Sequence, residues 1–391
     1  MFSRELFYVK AKFIAGISMD KYDIVVVGGG IAGSFAARFT AKNSFRTLLL
    51  EKFKTPRNKP CSGIQFPYFE KLIGKKIPRE KLCKNELNKV EMITPRDKVL
   101  KGKIKMLNFW RSTFDRWLND LAIEAGAEFQ DEASLTDFKK DGEWLKLEIS
   151  GKNGKLEVKT RYLIGADGML SCIRQKLRPG DFVIKASGAT INYYFMGEAT
   201  LDPNTLYMFY KREFCPLMFA WVYLKDDKWV IGTGSNKNPA EYAETFFNFI
   251  REKYSLRGKI VKKEGFTSTM QGGVYLGEAN TLMVGDAASL VDLYRGMGMD
   301  NAALSGRLVA KAIVQAEEHG YPAIKPYQLS MKKVLRRLHA NANKQAARYA
   351  SNEALEKSLS PTNLIEGGIK MLLAQKINRL LPPEKLIFLP L

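Results

Sequence analysis

The sequence predicts an α/β protein in which a Rossmann-type dinucleotide-binding lobe is interleaved with an antiparallel β-sheet lobe and followed by C-terminal helices. Three observations predict it: an apolar strand that runs into Gly-x-Gly-x-x-Gly and a helix near the N-terminus, two long insertions rich in β-branched and aromatic runs, and a tail with apolar residues at helical spacing. At 391 residues the chain is long enough to bury a large core and to form two lobes.

The first element is Tyr22-Asp-Ile-Val-Val-Val-Gly28-Gly-Gly30-Ile31-Ala32-Gly33-Ser34. Gly28 permits the tight turn, Gly30 lets backbone N–H groups approach a pyrophosphate, and Gly33 lets the helix pack closely on the strand. The phosphates then sit on the first helical turn, formed by Ile31, Ala32 and Gly33. A second strand, Arg46 to Leu50, ends at Glu51, eighteen residues past Gly33. That is where such a βαβ unit places its acceptor for ribose hydroxyls, and Lys52 follows it in the candidate site.

Four further segments continue the pattern. Asn108-Phe-Trp-Arg111 leads into Phe114 to Ala127, apolar at helical spacing. Arg161-Tyr-Leu-Ile-Gly-Ala-Asp167-Gly168-Met-Leu-Ser-Cys-Ile-Arg174 reads as a strand and a glycine turn, and Asn280-Thr-Leu-Met-Val-Gly-Asp286-Ala-Ala288 as a buried strand ending at an aspartate. Arg295-Gly296-Met-Gly298-Met299-Asp-Asn-Ala302 opens a long helix whose glycine-flanked N–H groups suit a negative charge. A lone Gly-Asp or Asp-Gly pair is usually a turn; the order of the segments is what is specific.

In that order the segments resemble FAD enzymes with the para-hydroxybenzoate hydroxylase fold. The resemblance implies that the dinucleotide is FAD, that Asp167 and Gly168 belong to its site, and that Asp286 meets the ribityl chain. It places Arg111 near the cofactor and Gly296, Gly298 and Met299 against the reduced isoalloxazine. The FAD-binding domain is then assembled from residues 19–65, 107–180 and 274–320. Residues 66–106 and 181–273 form the substrate domain, with runs such as Asn192-Tyr-Tyr-Phe195, Leu206-Tyr-Met-Phe-Tyr210 and Lys228-Trp-Val-Ile-Gly232. Residues 1–18 are an N-terminal extension and 321–391 a C-terminal helical region.

Two motifs narrow the resemblance to geranylgeranyl reductases. Pro56-Arg-Asn-Lys-Pro-Cys61-Ser-Gly63 is similar to their P-R-x-K-x-C-G-G segment, with Ser62 departing from the first glycine; this implies that Cys61 and Gly63 lie beside the flavin and makes Cys61 the candidate catalytic thiol. Pro216-Leu-Met-Phe219-Ala-Trp221-Val-Tyr223-Leu224 is similar to P-x-x-Y-x-W-x-F-P, with Leu224 in place of the last proline. On a strand Phe219, Trp221 and Tyr223 project from one face and would wall an isoprenoid channel. Leu293 and Arg295 also depart from the family, which has a proline and a small or acidic residue there. The implied activity is saturation of C=C bonds in isoprenoid chains on lipid or diphosphate substrates. An FAD-dependent monooxygenase acting on an aromatic or quinone substrate shares the fold and stays open, whereas the W-x-W-x-I-P segment of halogenases is not found. With one Gly-x-Gly-x-x-Gly, electrons come from NAD(P)H bound transiently or from a small redox protein.

Composition bounds the rest. Lys and Arg number 62 against 41 Asp and Glu, a net charge of +21 that favours anionic partners. No nucleic-acid-binding motif accompanies it, so the open readings are an anionic membrane surface, a phosphorylated substrate and a solvated lysine-rich surface with no specific partner. Cys61, Cys83, Cys172 and Cys215 form no CxxC pair, so neither a disulfide framework nor a metal site is indicated and a cytoplasmic setting is expected. His319 and His339 are the two histidines, so the cofactor carries the hard chemistry. No window approaches the roughly 18 apolar residues of a membrane span. Met1 to Ser18 lacks the apolar core of a secretory signal and precedes Met19; an upstream extension, a start at Met19 and an interfacial anchor are its three readings. From His319 to Asn352 there is no acid, while seven cations flank an apolar stripe of Met331, Val334, Leu335, Leu338 and Tyr349. With the apolar run Leu364 to Leu381, stopped by Pro382-Pro383, this predicts amphipathic helices and a peripheral contact at the inner face of the membrane.

Overall fold

The computed structural model describes residues 20–152, 154–182, 187–269 and 272–388. The N-terminal extension and Met19 lie outside them. The nucleotide-binding lobe is built on a sheet whose parallel core runs Thr281–Met283, Gly154–Gly165, Asp20–Val27, Thr47–Leu50, Glu128–Gln130 in spatial order. An antiparallel pair, Ser134–Asp141 and Trp144–Gly151, attaches to one end of Gly154–Gly165. Parallel strands must be buried on both faces, and here Ile24, Val25, Val26, Leu49, Leu50, Leu163 and Ile164 are all inaccessible.

Helices Ile31–Ala41, Arg111–Glu124 and Met299–His319 share the core of this sheet. The first and last of them touch at Gly306: a Cβ there would lie 2.4 Å from the carbonyl oxygen of Ala32 and 2.8 Å from the Cβ of Phe35. Because the third helix comes from residue 299 onward, one close helix pair brings two distant parts of the chain together at the glycine turn.

The second sheet has the order Arg257–Thr269, Ser187–Glu198, Lys228–Ser235, Ala220–Lys225, Thr205–Phe209, Leu87–Ile93, Val99–Asn108, Ile64–Gln65. It is antiparallel except at one seam, where Thr205–Phe209 lies parallel to Leu87–Ile93. These two strands come from different insertions, so no tight hairpin imposes an antiparallel pairing between them. Its two faces bury separate clusters. Ala220, Val222 and Cys215 pack with helix Pro239–Lys253, while Phe219 and Tyr223 pack with Phe66, Met208, Tyr210 and Met297.

The C-terminal region is helical over Ile324–Arg348, Asn352–Ser358 and Pro361–Leu380. Of the predicted stripe, Met331, Val334 and Leu338 are buried in the core of the nucleotide lobe, Leu335 packs against it and Tyr349 is buried in the second-sheet cluster; Tyr327, one turn before Met331, is buried with the first three. Two of its seven cations are also taken up inside the protein. Arg337 donates to Asn301 Oδ1 at 2.5 Å and lies 4.4 Å from the Phe388 ring, and Arg348 stacks 4.8 Å from Tyr210. The apolar stripe of this basic helix is therefore spent on the protein's own core.

Candidate active site

The glycine turn has the shape its spacing requires. Gly28 has φ +110°, and a Cβ there would stand 2.3 Å from the carbonyl oxygen of Ala166; at Gly33 it would stand 1.9 Å from the oxygen of Gly28. Any side chain at either position would push the turn off the strand ends. Glu51, at the end of the neighbouring strand, is buried and accepts from the N–H of Gly29 at 3.0 Å and of Phe53 at 3.1 Å. Asn119, which the sequence did not single out, supports the turn by donating to the oxygen of Gly29 at 2.9 Å and to Ser34 Oγ at 2.8 Å. Ile31 and Ala32 are buried in the first turn of the helix. Lys52 stands apart: it is exposed and lies 4.9 Å from the Phe53 ring.

The loop 56–63 ties the three pieces of the lobe together through alternate residues. Arg57 Nε donates to Glu51 Oε2 at 2.8 Å, and its other arm lies 3.6 Å from Asp115. Lys59 Nζ donates to Asp286 Oδ2 at 3.0 Å. Cys61 Sγ, half-buried, is 3.9 Å from Met299 Sδ. Burial opposes the charge on Asp286, yet Lys59 and, farther off, Arg111 hold its carboxyl below the usual range. Arg111 is buried in a bidentate pair with Asp115, at 2.7 and 2.8 Å; burial disfavours its charge, and Asp115 together with Cys61 more than offsets this, raising its pKa.

Behind the loop sits Lys225, buried at 1 % exposure, which sequence reasoning missed. Its Nζ donates to the carbonyl oxygens of Ser62 at 2.6 Å and Phe109 at 2.5 Å, and lies 4.8 Å from the Trp110 ring. Burial lowers its pKa to about 8, with Cys83 and Cys61 opposing the shift. The signal was available: Lys225 continues the odd-numbered face of Phe219, Trp221 and Tyr223, so a strand would turn it toward the same neighbours. Gly63 fits against it with φ +61°, where a Cβ would come within 2.6 Å of Lys225 Nζ and 2.0 Å of the Phe109 oxygen.

Phe219, Trp221 and Tyr223 share one face of their strand. Tyr223 OH donates to the oxygen of Ser62 at 3.3 Å, and Trp221 Nε1 donates to Asn192 Oδ1 at 2.9 Å. Gly296, with φ +62°, packs against this face: a Cβ on it would be 3.0 Å from Met218 and 3.4 Å from the Phe219 ring. Gly298 caps helix Met299–His319 and faces Asp286, whose Oδ1 would lie 3.6 Å from an added Cβ. Arg295 is paired with Asp300 at 2.6 Å and donates to Tyr68 OH at 3.2 Å. That ion pair fixes the start of the helix.

The residues fit a dinucleotide with a flavin at its far end. The glycine turn leaves room only for backbone next to a helix N-terminus, Glu51 and Asp286 are carboxylates bound by Arg57 and Lys59 of one loop, and Asp167 keeps an unpaired acceptor. Asp167 Oδ2 takes the N–H of Cys172 at 2.8 Å, while its Oδ1 is enclosed without a partner. Gly168 has φ +84° in the same turn. Arg174, by contrast, is structural: it is fully buried, paired with Asp181 at 2.8 Å, and donates to the oxygen of Gly273 at 2.8 Å.

Residues 21–197 match the family described as FAD binding domain. The protein is an FAD-dependent oxidoreductase. Within that class it is similar to proteins named as geranylgeranyl reductases. It is 29 % identical over 329 residues to the geranylgeranyl diphosphate reductase of Rhodobacter capsulatus, covering 78 % of each chain. It is 27 % identical over 382 residues to the digeranylgeranylglycerophospholipid reductase of Thermoplasma volcanium, covering 87 % of this chain and 91 % of that one. Among solved structures it shares its fold with a geranylgeranyl bacteriochlorophyll reductase-like protein from Thermoplasma acidophilum, with a TM-score of 0.77 at 22 % identity over 88 % of this chain and 92 % of that one.

Proposed function

We propose that this protein reduces C=C bonds of geranylgeranyl-type isoprenoid chains carried on a lipid or a diphosphate, at the inner face of the cytoplasmic membrane. The observation that carries the proposal is the meeting of an aromatic, apolar face with the loops of the cofactor site: Phe219 against Gly296, and Tyr223 against Ser62. The names of the relatives support the same substrate class.

FAD, when bound, supplies the two electrons of the reduction, renewed from NAD(P)H or a small redox protein. The chain's own residues bind and orient. Gly28, Gly30, Gly33 and the amides after them receive the pyrophosphate, Glu51 the adenosine ribose, and Asp286 with Lys59 the ribityl end. Arg111 sets charge beside Cys61, and Gly63, Gly296, Gly298 and Met299 bring backbone close to the ring. Phe219, Trp221 and Tyr223 hold the polyene and exclude water, which an unactivated alkene needs in order to react. Cys61 is the thiol at this junction and the proposed source of the proton for the second alkene carbon.

The test is anaerobic turnover of a geranylgeranyl lipid followed by mass spectrometry. Each reduced bond adds two hydrogens, and Cys61→Ser should keep FAD but lose most of the turnover. Tightly coupled oxygen consumption with a hydroxylated aromatic product, and no saturated chain, would replace this reading with a monooxygenase.

A further inference from the structure

Helix Pro361–Leu380 wears its apolar residues on the outside. Its inner side is ordinary: Leu364, Met371 and Ala374 pack on the second-sheet cluster, and Lys71 Nζ donates to the carbonyl oxygens of Asn378 and Arg379, both at 2.9 Å. On the other side Ile365, Ile369, Leu372, Leu373, Ile377 and Leu380 are between 43 % and 88 % exposed. At 100° per residue these six fall within an arc of about 140°, centred opposite the packed side. Exposed apolar side chains are common singly, but six on one helical face, with Glu366 and Lys376 as the charged residues among them, form a binding surface.

We propose that this face is the docking surface for an anionic phospholipid bilayer, with the helix lying in the plane of the head groups. Three features favour that occupant. The helix carries Lys370, Lys376 and Arg379 against one acid, Glu366, a charge balance that suits anionic head groups. No helix among the described residues is long and apolar enough to cross a membrane, so the face can lie on a bilayer but not span it. The packed side of the helix belongs to the same apolar cluster as Phe219 and Tyr223, with Trp221 against it. A bilayer seated on the outer face therefore lies across this helix from the apolar cluster that contains the aromatic wall. A membrane-resident isoprenoid would pass from lipid to wall along apolar surface. That last step rests on the proposed isoprenoid substrate; the docking itself does not.

The experiment is vesicle sedimentation of the full-length protein with mixed phosphatidylglycerol and phosphatidylcholine. The wild type should bind anionic vesicles and bind less at high salt. Ile369→Ser/Leu372→Ser/Leu380→Ser, all exposed positions, should lower binding at least tenfold while circular dichroism and FAD content stay unchanged. Activity on detergent-dispersed substrate should also be retained. Unchanged binding in that triple variant overturns the proposal. So does loss of binding only in Lys332→Gln/Lys333→Gln/Arg336→Gln, which would move docking to helix Ile324–Arg348. Conversion of a wild-type dimer to a monomer by the serine variant, with no vesicle binding by either, would make the face a contact between copies and overturn it too. Vesicle binding without any reduction of isoprenoids would leave the docking surface standing and remove the substrate reading.

Discussion

Replacing Lys225 by methionine should destabilise the protein by an amount that grows as pH rises, an unusual direction that follows from where the amine sits. The side chain is enclosed, and its Nζ holds two carbonyl oxygens, those of Ser62 and Phe109. Methionine fills similar space but leaves the Phe109 oxygen without its Lys225 donor and the Ser62 oxygen with only the 3.3 Å bond from Tyr223 OH, at roughly 1–3 kcal/mol for an oxygen left unpaired. Opposing this, burial lowers the folded-state pKa of Lys225 to about 8 from 10.5. Below pH 8 the protein therefore holds an ammonium at a cost of about 3 kcal/mol relative to the unfolded chain. The sign follows from proton counts. Between about pH 8 and 10.5 the unfolded chain binds the proton that the folded chain has released, so stability from this group rises with pH. The neutral amine still donates to both oxygens. Methionine carries no such term, so the difference between wild type and Lys225→Met should widen by about 1 kcal/mol from pH 7 to pH 9. Urea unfolding of the two proteins side by side at several pH values measures it directly. A difference that stays flat with pH would show that Lys225 does not titrate in this window and would refute the argument. Because Lys225 braces the Cys61–Gly63 turn from behind, the variant should also lose kcat while retaining FAD.

Two other substitutions probe the ends of the site. Glu51→Ala removes the acceptor of the Gly29 N–H and the close partner of Arg57, and should weaken FAD retention by about 1–3 kcal/mol, roughly ten- to a hundredfold; fluorescence titration of apoprotein measures this, and an unchanged Kd would remove Glu51 from the ribose site. Gly232→Ala would place a Cβ 2.2 Å from Asn192 Oδ1 and 2.3 Å from Trp221 Nε1, forcing their 2.9 Å hydrogen bond apart. It should cost about 1–3 kcal/mol in stability, shift the tryptophan emission and raise KM for the isoprenoid, and an unaltered KM would argue that Trp221 does not line the substrate path.

The strand, glycine turn and first helix were legible in residues 22–34 because each is a local demand: a buried parallel strand requires an apolar run, and positions such as Gly28 and Gly33 tolerate no Cβ. The order of the later Asp and Gly segments carried the cofactor for the same reason, since each turn is encoded where it is made. What holds the site together was not legible. Lys59 meets Asp286 across 227 residues and Lys225 meets Ser62 across 163, and sequence states a charge without stating its partner. The parallel seam between Thr205–Phe209 and Leu87–Ile93 was likewise decided by how two insertions meet. The tail shows the division most plainly. Ile324–Arg348 and Pro361–Leu380 both read as amphipathic helices, yet Met331, Val334 and Leu338 are buried while Ile365, Ile369 and Leu372 face outward. Hydrophobic periodicity determines that a helix has an apolar face; only packing against the rest of the chain, where the core has room for some of these faces and not all, decides which is left uncovered.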